Sequence, residues 1–251
     1  MNTLPREFSQ NSRSVVSMTN ADYRRALALR ELAASTTGYP KYLLAPEISL
    51  ILDAIPDLRK RLLFDVLWNT GARINEALAL RPADVVLNAT RPFIVLHTLK
   101  QRLRPRPGRP SAREPVKRAV PILDDTFLSR LRDGLATFTR HATKPVWDIT
   151  DDTARNWLNA ALDECNRRDL RFSIPDISPK TFRHSYAMHL AINGVEPLTL
   201  QGYMGHRDFK STQHYLRVFA LDLGHERMNI RFTYPAVDWL LNDSDPVTNE
   251  A

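Results

Sequence analysis

The sequence has little of what secreted and membrane proteins depend on. Cys165 is the single cysteine among 251 residues, so no disulfide can form within the chain, as is usual in a reducing cytosol. No run of residues approaches the ~20 apolar side chains of a membrane-spanning helix. Residues 1–13 are polar and lack the apolar core of a secretory signal. We therefore expect a soluble cytoplasmic protein that has no membrane partner.

Outside one segment the chain also lacks net charge, because its Lys and Arg residues are balanced there by Asp and Glu. Between Lys100 and Arg118, eight Lys and Arg residues stand against one Glu, so this segment alone carries the net charge of +7. A concentrated basic segment on a neutral body indicates contact with DNA phosphates, although composition alone leaves a solvated linker open. Apart from Lys100, the predicted DNA-binding residues are Arg102, Arg104, Arg106, Arg109, Arg113, Lys117 and Arg118.

Turn residues and periodicity divide the chain into a polar arm with a short helix (1–40), a compact domain (41–222) and a tail (223–251). Helices are predicted over 21–34, 46–54, 58–68, 73–80 and 153–168, from Pro179 to Asn193, and around Tyr215 after a Ser211 cap. Strands are predicted over 92–100 and 117–123, on either side of a proline-rich basic loop. The expected fold class is α+β, mainly α-helical, with a small antiparallel β-sheet near the N-terminal part of the domain.

Four residues that are far apart in the chain share one chemistry. Arg73 follows Thr70-Gly71-Ala72, Arg183 lies in Thr181-Phe182-Arg183-His184-Ser185-Tyr186, His206 follows Gly205, and Tyr215 comes nine residues later. Two guanidiniums can hold the oxygens of a phosphodiester in a planar fork. An imidazole can donate to the same phosphate, and a phenol can attack it. No carboxylate cluster has metal-ligand spacing, so we expect neither a metal nor a cofactor.

The order and spacing of these residues resemble the tyrosine recombinase (phage integrase) family over about residues 42–218. The resemblance implies a tyrosine recombinase catalytic domain in which Arg73, Arg183 and His206 bind the scissile phosphate. Tyr215 then attacks, forming a 3′-phosphotyrosine and releasing a 5′-hydroxyl. Glu76 matches an acidic position that orients the arginine. The family's general acid is a lysine on a β-hairpin, for which Lys100 fits best and Lys117 is the alternative.

The chain departs from the family pattern in two places. Lys180 stands where a histidine is common, three residues before the second arginine. Either Lys180 acts electrostatically, or His184 or water takes the proton from Tyr215. In addition, only about 40 residues precede the catalytic region, whereas family members usually carry a separate DNA-clamping domain there.

The resemblance implies a site-specific DNA recombinase without cofactors, in the bacterial cytoplasm at the nucleoid or a plasmid. Its partners would be double-stranded DNA with a specific site, a second copy on that site, a tetramer in synapsis, and an accessory DNA-binding protein. The tail 223–251 would either dock on a neighbouring protomer or fold back on its own core. The compact chain resembles plasmid-encoded resolvases of the D-protein type, while the roles of integrase, invertase and integron-type recombinase stay open. The alternatives are a type IB topoisomerase-like enzyme and a DNA-binding regulator on a decayed scaffold.

Overall fold

The computed structural model describes residues 20–37, 41–98 and 116–221. The helices in these residues are α1 (Asn20–Thr37), α2 (Ala45–Asp53), α3 (Leu58–Thr70), α4 (Ile74–Leu78), α5 (Asp125–Phe138), α6 (Asp151–Arg167), α7 (Pro179–Ile192), α8 (Pro197–Met204) and α9 (Lys210–Leu221). The strands are β1 (Val85–Val86), β2 (Phe93–Thr98) and β3 (Val116–Pro121). The predicted class, mainly helical with one small antiparallel sheet, is confirmed.

Local capping residues set most helix boundaries. α3 begins after Asp57, whose Oδ1 accepts from the Lys60 backbone N–H at 3.0 Å, and ends at Gly71 in the left-handed region with φ of 59°. Two predicted starts were slightly wrong. α6 begins at Asp151 after the Thr150 cap, two residues before the predicted start. α9 begins at Lys210, because Asp208 Oδ1 accepts from the Lys210 N–H at 2.9 Å, so Ser211 lies inside the helix.

The sheet has the order β1-β2-β3 with both pairs antiparallel. Its register pairs Leu96 with Arg118 and Thr98 with Val116. The two-residue β1 was not predicted, because it is too short to show an alternating pattern. The loop between β2 and β3 lies outside the described residues, and so do the predicted site residues Lys100, Arg102, Arg104, Arg106, Arg109 and Arg113.

Helices α3 and α7 form the centre of the core. Phe64 and Phe182 are fully buried, and their ring centroids are 5.7 Å apart. Around this contact, α5 packs on α3, and α8 and α9 pack on α7. Because Arg183 follows Phe182 directly, the packing of the core sets the position of a predicted phosphate-binding side chain.

Helix α1 packs on the same compact unit rather than standing apart as an arm. Leu29 and Ala33 are buried. Arg30 donates to both carboxylate oxygens of Glu47 at 2.6 and 2.9 Å, and to the Tyr42 carbonyl at 3.0 Å. The α1 helix also contacts α9, which carries Tyr215. The predicted boundary at residue 40 therefore stays a prediction, and α1 packs against residues on the other side of it.

Among the described residues, no helix is both long enough and apolar enough to cross a membrane. The predicted docking tail, residues 223–251, lies outside the part of the chain that the structure describes.

Removal of Arg30 tests the docking of α1. Arg30→Met leaves the buried Glu47 carboxylate without its cation, which should cost about 3–5 kcal/mol in the free energy of unfolding measured with urea. The double variant Arg30→Met with Glu47→Leu should recover most of this loss, because no charge is left buried. A loss below about 1 kcal/mol in the single variant would contradict the docked position of α1.

Candidate active site

Arg73 is held at the start of α4 by a carboxylate one helical turn away. Its backbone N–H and Nη1 donate to Glu76 Oε2 and Oε1 at 2.9 and 2.8 Å. The Glu76 side chain is 2% exposed, whereas 45% of the Arg73 side chain remains accessible. Glu76 thus fixes the base of the guanidinium and leaves its outer edge open to an incoming anion.

Glu76 has a second cation, which the sequence analysis assigned to DNA. Arg118 on β3 donates to Oε1 and Oε2 of Glu76 at 3.0 and 2.7 Å, and its side chain is only 7% exposed. The predicted contact of Arg118 with DNA phosphates stays a prediction, and in the described structure this guanidinium is engaged by Glu76. Burial opposes ionisation of Glu76, but the hydrogen bonds from Arg118 and Arg73 prevail and lower its pKa to about 2.

Arg183 is buried and oriented by two backbone carbonyls. Nη1 donates to Gly71 at 2.5 Å and Nη2 donates to Met204 at 2.6 Å. Gly71 packs against the Tyr186 ring, and only a residue without a side chain fits there, because a Cβ would lie 2.3 Å from that ring. Burial, with Arg73 and Arg118 nearby, lowers the pKa of Arg183 to about 9, so the guanidinium is still charged at neutral pH.

The Tyr215 hydroxyl has a base within hydrogen-bonding distance. Tyr215 lies on α9, is 4% exposed, and its Oη lies 2.9 Å from Nδ1 of His184 on α7. Burial and, to a smaller extent, the charges of Lys180 and Arg183 together lower the pKa of His184 to about 4. The imidazole is neutral at pH 7, so Nδ1 can accept the Tyr215 proton. Burial raises the pKa of Tyr215, and Arg183 and Arg73 counteract that rise.

His206 lies on the other side of Tyr215, at the end of α8. The two rings are stacked, with an interplanar angle of 7° and centroids 6.1 Å apart. His206 Nδ1 is 3.0 Å from Oγ1 of the fully buried Thr212. Burial and, to a smaller extent, the nearby charges of Arg183 and Arg73 together lower the pKa of His206 to about 4. A neutral His206 donates from Nε2 only if Thr212 donates to Nδ1, so Thr212 sets the tautomer.

The structure brings six predicted residues together: Arg73, Arg183, His206 and Tyr215, with Glu76 paired to Arg73 and His184 against the tyrosine. Lys180 is exposed, one helical turn before His184 on α7. Lys117 is exposed on β3, and Lys100 lies outside the described residues. No three His, Cys, Asp or Glu side chains come together as a possible metal site in residues 20–37, 41–98 and 116–221.

The sequence analysis missed the roles of Arg118 and Thr212, although both left a signal. Arg118 alternates with the buried Val120, while Lys117 and Ala119 are exposed, as expected for a strand with one buried face. Thr212 precedes Tyr215 by three residues and so lies on the same helical face. Neither pattern alone identifies the partner, because Glu76 is 42 residues away from Arg118.

The neutral histidines make a prediction about stability. In the folded protein the pKa of His184 is about 4, against 6.5 for an ordinary histidine. Between these values only the unfolded chain takes up the proton, so the free energy of unfolding should fall as pH drops from 6.5 towards 4. In His184→Gln, the loss between pH 6.5 and 4.5 should be smaller than in wild type, by on the order of 1–2 kcal/mol.

Urea unfolding at pH 6.5, 5.5 and 4.5 measures this difference. Glu76, whose pKa falls from 4.5 to about 2 on folding, also begins to lose its stabilising effect near pH 4.5, but this loss is common to wild type and His184→Gln and cancels in their difference. His141→Gln is the control, since His141 is exposed in the loop after α5. Equal slopes for wild type and His184→Gln would show that His184 is not a buried neutral group.

Comparison with known proteins agrees with this geometry. A model described as the phage integrase family matches residues 41–221. A protein named Resolvase from Escherichia coli is 42% identical in an alignment of 231 residues, and the match covers 86% of this chain and 88% of that protein. Tyrosine recombinase XerD of Corynebacterium glutamicum is 32% identical, over 72% of this chain and 58% of its own.

Solved structures share the fold. The post-cleavage complex of the XerH recombinase with palindromic difH DNA gives a TM-score of 0.54 at 20% identity, and the match covers 71% of this chain and 50% of XerH. The XerA recombinase gives 0.55 at 19% identity, over 76% of this chain and 67% of XerA. The chain thus spans half of XerH but nearly nine-tenths of the resolvase. The family match and the identity to the resolvase show that the chain belongs to the phage integrase family and is a site-specific tyrosine recombinase.

Proposed function

We propose that Tyr215 is the nucleophile of this recombinase and that His184 takes its proton. The observation that carries the proposal is the 2.9 Å contact between Tyr215 Oη and His184 Nδ1, beside two arginines. Among the described residues, Tyr186 Oη is buried without a hydrogen-bond partner, and burial raises its pKa. Tyr215 therefore has the base that a phenol requires, and Tyr186 does not.

Phosphate binding falls to the cations around the tyrosine. The exposed edge of Arg73 and the remaining N–H groups of Arg183 can donate to the non-bridging oxygens of a scissile phosphate, where charge gathers in the transition state. His206 Nε2–H adds a neutral donor. Because Glu76 and the backbone carbonyls already orient these groups, little reorganisation is needed when DNA binds.

Cleavage then conserves the phosphodiester energy. Tyr215 Oη forms a bond to phosphorus, its proton passes to His184 Nδ1, and the bond from phosphorus to the 5′-oxygen breaks. The leaving oxygen takes a proton from Lys100. In the reverse step a 5′-hydroxyl attacks the phosphotyrosine and rejoins DNA. Lys180 contributes through its charge, because an ammonium has no acceptor for the tyrosine proton, while it favours the neutral form of His184.

The biological reaction we propose is resolution, in which two sites on one circular DNA recombine to give two circles. Its support is the 42% identity to a protein named Resolvase, over 88% of that protein. Exchange between two sites would use a dimer on each site and a tetramer in synapsis, docked through residues 223–251. Residues 99–115 would contact DNA phosphates through their arginines, and an accessory DNA-binding protein would take part.

A covalent-adduct assay tests the nucleophile. Supercoiled DNA from the replicon that carries this gene is incubated with the protein, quenched with denaturant and treated with protease, and the adduct ends are sequenced. Wild type should form an adduct at one site. Tyr215→Phe should bind the same DNA and form none, because the attacking oxygen is absent. Tyr203→Phe is the matched control and should keep the adduct.

The outcomes separate the candidates. An adduct that survives in Tyr215→Phe would move the nucleophile to another residue. Binding without any adduct in wild type would favour a DNA-binding regulator, and relaxation of DNA without recombinant circles would favour a topoisomerase-like enzyme. The mapped ends also provide the substrate for the tests below.

Replacement of the scissile 5′-oxygen by sulfur tests the general acid. A thiolate leaves without protonation, so a variant that lacks the acid should regain its rate on this substrate. Lys100→Ala should cleave ordinary DNA about 10²–10⁴-fold more slowly and the 5′-sulfur DNA at close to the wild-type rate. Lys117→Ala should cleave both at near wild-type rates. If rescue occurs in Lys117→Ala and not in Lys100→Ala, Lys117 is the acid.

A further inference from the structure

We propose that Arg118 is a positioning residue of the reaction: it holds Arg73 and His206 in their relative places and does not bind the phosphate itself. The inference rests on the proposed roles of Arg73 and His206. It concerns a residue of β3 that the sequence pattern had grouped with the DNA-binding arginines.

The contacts of Arg118 join three separate segments of the fold to β3. Nη1 and Nη2 donate to Glu76 on α4 at 3.0 and 2.7 Å. Nε donates to the carbonyl of Tyr203 in the last turn of α8 at 2.9 Å. A longer contact of 3.5 Å joins Nη1 to Thr98 at the end of β2. With a side chain only 7% exposed, Arg118 has no open edge comparable to that of Arg73.

The first consequence concerns Arg73. Glu76 accepts from Arg73 and from Arg118 through the same two oxygens. Without Arg118, the carboxylate could rotate about its own side-chain bonds while it still paired with Arg73. The bond from Arg118 removes this freedom, so the Arg73 guanidinium is held by a carboxylate that is itself fixed from the opposite side.

The second consequence concerns His206. Arg118 binds the Tyr203 carbonyl, three residues before the histidine, and its side chain passes directly under Gly205. A Cβ at Gly205 would come within 2.8 Å of Arg118 Cδ. Gly205 also has a φ of 61° and ends α8. Glycine is therefore needed before His206 for two reasons: the backbone there is left-handed, and a Cβ would collide with the Arg118 side chain.

An arginine is needed here because of its shape. Its planar fork presents Nη1 and Nη2 to both oxygens of Glu76 while Nε faces the Tyr203 carbonyl. A lysine brings one nitrogen and can neutralise Glu76, but it cannot span the two acceptors. If Arg118 only neutralises Glu76, Arg118→Lys should cleave at the wild-type rate. If Arg118 positions Arg73 and His206, Arg118→Lys should cleave more slowly.

The experiment compares two DNA substrates in single-turnover cleavage. One carries an ordinary scissile phosphate at the site mapped by the adduct assay. In the other, a methylphosphonate at that position removes one negative charge, so correct placement of Arg73 and His206 matters less. Arg118→Gln should cleave the ordinary phosphate about 10–100-fold more slowly than wild type and lose only a few-fold on the methylphosphonate. DNA affinity should change by less than about 3-fold, because Arg118 does not contact DNA.

Arg130→Gln is the matched control for stability. Arg130 also forms a two-bond pair with a buried carboxylate, Asp65, at 2.6 and 3.0 Å, between α5 and α3. It should lower the thermal midpoint while the ratio of the two cleavage rates stays at the wild-type value. Arg118→Lys, which retains the charge and is the milder change should Arg118→Gln fail to fold, should show the same substrate-dependent loss.

Three results would overturn the inference. They are equal losses on both substrates in the Arg118 variants, a wild-type rate in Arg118→Lys, or a large fall in DNA affinity with an unchanged cleavage rate. In each case wild type still cleaves and Tyr215→Phe does not, so the proposed function stands. If wild type forms no adduct, the proposed function fails first and this inference fails with it.

Discussion

The active site depends on one buried carboxylate that two guanidiniums share. Glu76 is 2% exposed and could not remain ionised there alone. Arg118 and Arg73 lower its pKa to about 2, so the three groups carry one net positive charge at neutral pH. This charge remains on the side where Arg73 is accessible. The network thus concentrates positive potential at the surface that a phosphodiester can approach.

The same positive field determines what the histidines can do. Burial is the largest cause that lowers the pKa of His184 and of His206, and with Arg183 contributing to both, each pKa falls to about 4. Neutral imidazoles have one donor and one acceptor nitrogen, and the neighbouring hydroxyl assigns them. His184 offers its acceptor to Tyr215, whereas Thr212 can leave the His206 donor free. The two imidazoles therefore take opposite roles, His184 as acceptor and His206 as donor, because their hydroxyl partners differ.

Local rules predicted much of this structure, and long-range contacts account for the rest. Caps and periodicity located α3 and α7 to within two residues, and the spacing of Arg73, Arg183, His206 and Tyr215 identified the site. The pairing of Arg118 with Glu76 and of Arg30 with Glu47 could not be read, because each depends on how separate elements pack. An exposed arginine and a buried one look alike in composition. Only the alternation of β3 distinguishes them.

The low pKa of His184 suggests a role for Lys180, which stands where the family commonly has a histidine. A histidine at that position would compete for the same proton and would itself need to stay neutral beside Arg183. A lysine on the exposed face of α7, one turn before His184, lowers the pKa of His184. In the mechanism proposed above, the base lies directly on Tyr215, at 2.9 Å, and remains unprotonated throughout the physiological range. In that mechanism, the departure from the common pattern moves the proton acceptor by one helical turn and preserves the chemistry.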